Sequence, residues 1–192
     1  VITDPTGITV ECIINEGVSV SSVSSTLVAF EIGDWPHLPT IIIRIRGRIQ
    51  GAGGRGGWAT NPDAKGTDGG TALRTRVAIQ LDNTGGELWG GGGGGGGLTG
   101  GTGGGGGAGN IPGQGGASYP NTGPTGTSGT TEAAGLGYTT TVSTEDGRSY
   151  SAGNGGGPGL AGVDASSSPP GGTIFPTRPG GAAGKAIDGD SY

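Results

Sequence analysis

Few residues of this chain are of types that do chemistry, and their spacing frames almost none. Gly51, Gly53 and Gly56 have the G-x-G-x-x-G spacing of a dinucleotide-binding turn and follow an Ile-rich stretch. That turn works by aiming a helix N-terminus at a pyrophosphate. Here Gly57-Trp58-Ala59-Thr60-Asn61-Pro62 follows, which is no helix. Gly184-Lys185 ends like a phosphate-binding loop, but Pro179 stands at the first glycine position and Ala186 replaces Ser or Thr. Gly66-Thr67-Asp68-Gly69-Gly70 occurs once, whereas calcium-binding β-rolls need tandem nonapeptides. Asp188 and Asp190 read as a solvated acidic end. Cys12 is alone, so no intrachain disulfide or zinc site is expected. It alternates with Ile8, Val10 and Ile14 and reads as a small buried hydrophobe. His37, the single histidine, sits beside Trp35-Pro36 in a structural setting. With no nucleophile elbow and no paired-carboxylate motif, neither catalysis nor a cofactor or metal is expected.

Composition points away from an ordinary globular domain. Glycine is 51 of 192 residues, against a usual ~7%. Aromatics are 5% and the formal net charge is −5. Nucleic-acid binding needs a basic patch interleaved with aromatics, and the ten Lys and Arg are scattered. No apolar run approaches the ~20 residues of a membrane-spanning helix. Collagen needs glycine at every third position, and these runs keep no such register. The start at Val1 without Met and the end at Tyr192 suggest a piece of a longer protein.

Glycine is unevenly placed. Residues 1–50 hold only Gly7, Gly17, Gly33 and Gly47. The expected division is a β-strand anchor module at 1–50 and a glycine-rich domain at 51–192. In the first part, Ile8 to Ile14 alternates, and Leu27 to Phe30 gives another short strand. Thr40 to Ile49 is the strongest strand pattern. Ile41, Ile43, Ile45 and Ile49 point one way; Ile42, Arg44, Arg46 and Arg48 point the other. A further strand is expected over 71–81, with Val77, Ile79 and Leu81 on one face. A module of this size is marginal alone.

Residues 90–97 are eight consecutive glycines, and 103–107 are five more. Glycine loses more backbone entropy on folding than any other residue, on the order of 1–2 kcal/mol per residue. Such runs are disordered linkers or spans of a fold that only glycine fits. Glycine-dense and glycine-poor segments alternate beyond them, and Tyr119, Tyr138, Tyr150 and Phe175 fall in the gaps. A flexible linker has no reason to alternate in this way. An extended three-fold helix has three residues per turn, no internal hydrogen bonds, and N–H and C=O groups pointing outward. Packed side by side, such helices can pair backbone between them and satisfy buried polar groups. Close approach requires the absence of Cβ, and Cα–H···O contacts add small increments. The expected fold class is therefore mainly β plus irregular: a small β module followed by a bundle of packed polyglycine II helices with long connecting loops. Trp58 and Trp89 flank glycine spans and read as structural.

The order Phe30-x-x-Gly33-x-Trp35-Pro36, an Ile-rich strand, residues 47–57 (GRIQGAGGRGG) and then Gly69-Gly70-Thr71-Ala72-Leu73 resembles the C-terminal receptor-binding region of tailed-bacteriophage tail-tip (host-specificity) proteins and central tail fibres. Residues 180–189 resemble the same family's terminus. The glycine half is similar to the Gly-rich adhesins that cap long tail fibres of T-even-like Salmonella phages. The resemblance covers roughly residues 30–187, but segments 117–131 and 163–178 are long and Pro-rich and do not align with it. It implies packed polyglycine II helices and variable loops that bind outer-membrane proteins.

The expected function is a receptor-binding adhesin at the distal tip of the phage tail. Its expected partners are a host cell-surface receptor (an outer-membrane protein or surface glycan) and other tail-tip subunits, with a homotrimer giving avidity and no nucleic acid. Aromatics in polar loops give contact area at low entropy cost, so Tyr119, Tyr138, Tyr150 and Phe175 are the expected receptor contacts. Asp146 and Arg148 are the polar partners. A structural spacer without a receptor site is the alternative. An ice-binding protein is disfavoured by the single Cys and the long loops.

Overall fold

The computed structural model describes residues 7–35, 40–59, 65–98, 101–118, 125–141, 149–168 and 178–189. Its strands are β1 (Thr9–Ile14), β2 (Ser19–Ser21), β3 (Phe30–Glu31), β4 (Thr40–Ile45), β5 (Arg48–Gln50), β6 (Leu73–Thr75), β7 (Gln80–Asp82), β8 (Glu87–Trp89), β9 (Thr139–Thr141), β10 (Ser149–Ser151), β11 (Ser166–Ser168) and β12 (Ile187–Gly189). The protein is β-rich, with no helix among the described residues.

Nine strands coil into a three-sided solenoid. Its sheets have the orders β1-β4-β7, β2-β5-β8 and β3-β6-β12, all parallel. Each sheet takes one strand from each of three successive turns of chain. Parallel register stacks like positions, so inward residues form apolar columns. Cys12, Ile43 and Leu81 align on one side. Val20, Ile49 and Leu88 align on the next. Ile14, Ile41, Ile43, Ile45 and Ile49 are buried in the shared core, with Phe30 and Trp35 packed against it. The alternation expected over Thr40 to Ile49 is the observed one, although a corner at Arg46-Gly47 separates β4 from β5.

Outward positions stack charges, and stacked like charges would repel. The sequence alternates their signs between turns. Arg44 bonds Glu11 (2.5 Å) and Asp82 (3.0 Å), and Arg46 bonds Asp82 (2.7 Å). Arg48 pairs with Glu87 and reaches Glu132 (2.9 Å). Arg74 lies between Glu31 and Asp188, and Arg76 between Glu31 and Asp34. The Arg46 guanidinium, then the Thr84 backbone, hold the Asp82 carboxyl well below the usual carboxylate range. Asp188 is lowered too, by Lys185 first and then Arg74.

The single strand expected over 71–81 is two strands in two sheets. Leu73–Thr75 pairs with β3 and β12, and Gln80–Asp82 pairs with β4. The solenoid turns a corner between them, where Thr75 Oγ1 donates to Val77 O (2.6 Å). Period-two alternation continues across a corner, so the pattern did not reveal the break.

The glycine spans grow directly from the sheets. Gly51 N donates to Trp89 O (3.0 Å), extending the β5·β8 ladder. Along 91–96, every third residue then addresses the same neighbours. Gly91 and Gly94 donate to Gly70 and Thr67, and accept from Gly184 and Gly181. Gly92 and Gly95 donate to Ala108 and Gly105, and accept from Gly54 and Gly57. Gly93 and Gly96 donate to Leu160 and Val163, and accept from Gly156 and Gly153. Residues 104–109 repeat this scheme, donating to Gly57, Gly153, Thr127, Gly54, Gly156 and Thr130 in turn. Some neighbours run with the central span and others against it, since lateral bonds with a three-residue period do not depend on chain direction.

The position of a Cβ at each of Gly91 to Gly96 lies 2.0 or 2.1 Å from a neighbour's carbonyl oxygen. Only hydrogen fits there, where it makes a Cα–H···O contact. Outer spans keep glycine on the face turned inward. Gly126 and Gly129 are buried, whereas Thr127 and Ser128 between them are exposed.

Gly94→Ala would set Cβ 2.0 Å from Arg55 O, with backbone on that side. It is expected to cost on the order of 3–5 kcal/mol, read as a collapsed melting temperature. Gly157→Ala meets only Leu160 Cδ1 at 3.5 Å and is expected to stay within about 0.5 kcal/mol of the parent. The depressed carboxylates give a second prediction. A group whose folded pKa is lowered stabilises the fold fully above its unfolded pKa and loses that contribution as pH falls towards the folded value. Melting temperature should therefore drop as pH falls below about 4. Asp82→Asn should flatten that acid limb, and added salt should shrink it.

Candidate functional site

The chain path sorts the spans into two ends. Turns near the solenoid are tied to it. Asn110 Nδ2 donates to Ser21 Oγ (3.0 Å), Gln50 Nε2 to Thr131 O (2.8 Å) and Gly159 N to Gly90 O (2.8 Å). The opposite ends, around residues 58, 98, 118, 138–141, 149–151, 166–168 and 178, therefore gather at the far end of the glycine region.

A small antiparallel sheet of order β11-β10-β9 sits there. Tyr150 lies at its centre, opposite Thr140 and Ser167. Tyr138 immediately precedes β9; its carbonyl accepts from Ala152 N (3.0 Å). By register it is the diagonal neighbour of Tyr150 on one face, within reach for aromatic side chains. Both tyrosines are half-buried. On the alternate face Thr139 and Ser151 share a hydroxyl–hydroxyl bond (2.9 Å). Nearby, Arg55 stacks over the Trp58 ring at 4.2 Å from its centroid, and Trp58 stays 40% exposed. Ala59 N donates to Ala117 O (3.0 Å), fixing the backbone beside that ring.

The solenoid offers the other candidate surface. β1, β2 and β3 are each the outer strand of their sheet, so three strand edges share one end. The same first turn exposes Ile13, Val18, Val23 and Leu27, with Val23 at 80%. A polar cleft of about 480 Å³ runs along the stacked corners, lined by Ser19, Arg46, Arg48, Glu87, Asn110 and Glu132.

The sequence matches the family of the phage tail fibre adhesin Gp38 over residues 1–192. The chain belongs to that family. No curated protein matches it. Its fold is similar to the crystal structure of the gp37-gp38 adhesin tip complex of the bacteriophage S16 long tail fiber, with TM-score 0.71 and 31% identity. The match covers 96% of this chain and 66% of that chain. As a tail fibre adhesin, the protein is a structural, non-enzymatic component of a phage virion tail.

Of the expected receptor contacts in this adhesin, Tyr138 and Tyr150 are brought together on the far-end sheet. Tyr119, Asp146, Arg148 and Phe175 lie outside the described residues. In the sequence Trp58 reads as a structural flank of a glycine span, and Arg55 carries no assigned role. Their signal was a bulky aromatic just after the last glycine of a span, where the chain leaves the tight lattice.

Proposed function

We propose that this adhesin recognises the host bacterial surface through the segments that join its glycine spans at the far end. The observation that carries the proposal is the separation of support from tip. Among the described residues, central spans bond only to other spans or to the turns joining them, so the joining segments at the far end can vary without breaking the lattice. Tyr119, Tyr138, Tyr150 and Phe175, with Asp146 and Arg148, are the assigned contacts, and an outer-membrane protein is the assigned receptor. The residues flanking these segments converge at one end, and loops on a rigid scaffold are the usual place for recognition.

The spans are assigned as polyglycine II helices. Support comes from the three-residue bonding period and from the six neighbours of residues 91–96: the spans around 54–57, 67–70, 105–108, 153–156, 160–163 and 181–184. Residues 1–50 begin the anchor, and 51–192 carry the glycine domain. β6, β7, β8 and β12 return from the second part to complete the anchor's sheets.

The three edges of the first solenoid turn are assigned to docking on another tail fibre subunit, because free strand edges and exposed apolar side chains favour pairing with a further chain. The related structure is itself a gp37-gp38 complex at an adhesin tip, which supports assigning the far end of this chain to the distal tip of the virion tail. A homotrimer would multiply weak receptor contacts. It is not needed to complete the lattice, whose central spans are surrounded by this one chain.

The deciding experiment is saturable binding of the 192-residue protein to host cells, compared with a variant carrying short Gly-Ser segments in place of 119–124 and 138–150. Circular dichroism checks that both fold. Loss of binding in the folded variant is expected. Binding of neither protein to any susceptible host would instead support a spacer. Tyr138→Ala with Tyr150→Ala should weaken adsorption by about tenfold or more. Val23→Asp with Leu27→Asp should leave binding of the isolated protein to host cells intact and prevent its incorporation on the fibre.

A further inference from the structure

The basic residues of the described chain fall into two classes. Arg44, Arg46, Arg48, Arg74, Arg76 and Lys185 belong to the solenoid or its return, and each has a carboxylate partner. Among the described residues, Arg55, Lys65 and Arg178 have none. All three stand at the far end, on adjacent spans. Thr67 N donates to Arg55 O (2.8 Å), and Gly66 N donates to Pro179 O (3.1 Å). The residue after Lys65 and the residue after Arg178 are thus hydrogen-bonded, and Arg55 lies one span away. Arg178 Nε is shielded from solvent and lacks an acceptor. Asp68 lies on the Lys65 span and Asp164 on the span bonded to that of Arg178, but Ala182 N and Gly180 N occupy an oxygen of each.

A desolvated guanidinium nitrogen without an acceptor is costly. In a chain with net charge −5, leaving three of the described cations unpaired at one end while matching the other six runs against economy of charge. Trp58 adds an exposed indole whose backbone is pinned and whose ring is stacked by Arg55. A fixed aromatic face beside cationic donors suits a sugar ring carrying an anionic group. The ring's C–H face packs on indole, and guanidinium or ammonium groups bond the phosphate or carboxylate.

We propose that Arg55, Trp58, Lys65 and Arg178 form a recognition patch for an acidic saccharide of the host surface, a sugar bearing phosphate or carboxylate. The patch rests on the adhesin reading above and adds a glycan class to its receptor. An acidic loop of an outer-membrane protein offers similar charge but no pyranose face for Trp58, which is why the saccharide is favoured.

The test uses the full 192-residue chain and three probes from a susceptible strain: phosphatidylcholine vesicles carrying lipopolysaccharide, the same vesicles after enzymatic dephosphorylation, and phosphatidylcholine proteoliposomes of its outer-membrane proteins free of lipopolysaccharide. The expected result is saturable binding to the first probe that weakens as salt rises. Arg55→Gln with Lys65→Gln, both at exposed positions, and Trp58→Ala alone should each weaken it about ten- to a hundredfold, with unchanged melting temperatures. Adding Arg178→Gln should weaken it further. Weaker binding after dephosphorylation identifies phosphate, and unchanged binding that is still lost in the variants identifies carboxylate. Parental binding by folded variants overturns the patch while leaving the adhesin function standing. Binding to the proteoliposomes alone overturns the saccharide class. Binding of the parent to no probe and to no susceptible cell overturns both.

Discussion

A glycine span has no hydrogen bonds of its own, so every buried amide and carbonyl in it must find a partner on another span. Nearly everything else in this adhesin follows from that demand. Partners at bonding distance on all sides leave no room for Cβ, which restricts 91–96 to glycine. Spans at the periphery need glycine only where they face inward, so Thr127, Ser128 and Gln114 can occupy the outward positions. Two spans of near-pure glycine therefore lie inside, and mixed spans surround them. The large ordering entropy of glycine is offset by paired backbone rather than by apolar side chains.

Such a lattice is difficult to start, because no short piece of it is stable alone. The solenoid supplies the start. β5 and β8 are already paired in register when the chain runs on into 51–57 and 90–97. Its core is conventional, an Ile-rich interior with matched ion pairs outside. The C-terminal strand β12 closes the third sheet only after the whole glycine region has been traversed. Both ends of the insert are thus clamped to one frame.

This division gives the function a physical basis. Recognition surfaces need variation, whereas a buried lattice of glycine tolerates none. In the proposed reading, recognition falls where the spans turn back at the far end, which separates the two demands. Among the described residues the charge distribution follows the same division, with cations neutralised on the solenoid and without a carboxylate partner at the far end, where Arg55 stacks on Trp58.

The sequence by itself determined the chemistry of each segment. Alternation in Thr40 to Ile49 set which face of the strand is apolar, because side-chain direction in a strand has a period of two. The glycine runs admitted a disordered linker or packing without side chains, and their alternation with glycine-poor segments favoured packing. Even the outer spans were legible in part: Gly126-Thr127-Ser128-Gly129 and Gly181-Ala182-Ala183-Gly184 carry the three-residue period within stretches that otherwise look irregular. Tertiary structure alone decided what meets what. The corner after Thr75 leaves no mark on the alternation, and the pairing of β6 with β12 joins residues over a hundred positions apart. The neighbours of a glycine span cannot be read from its composition, since lateral backbone bonds are the same for every partner and for both chain directions. For the same reason, the gathering of Arg55, Lys65 and Arg178 on adjacent spans became visible only when the spans were packed.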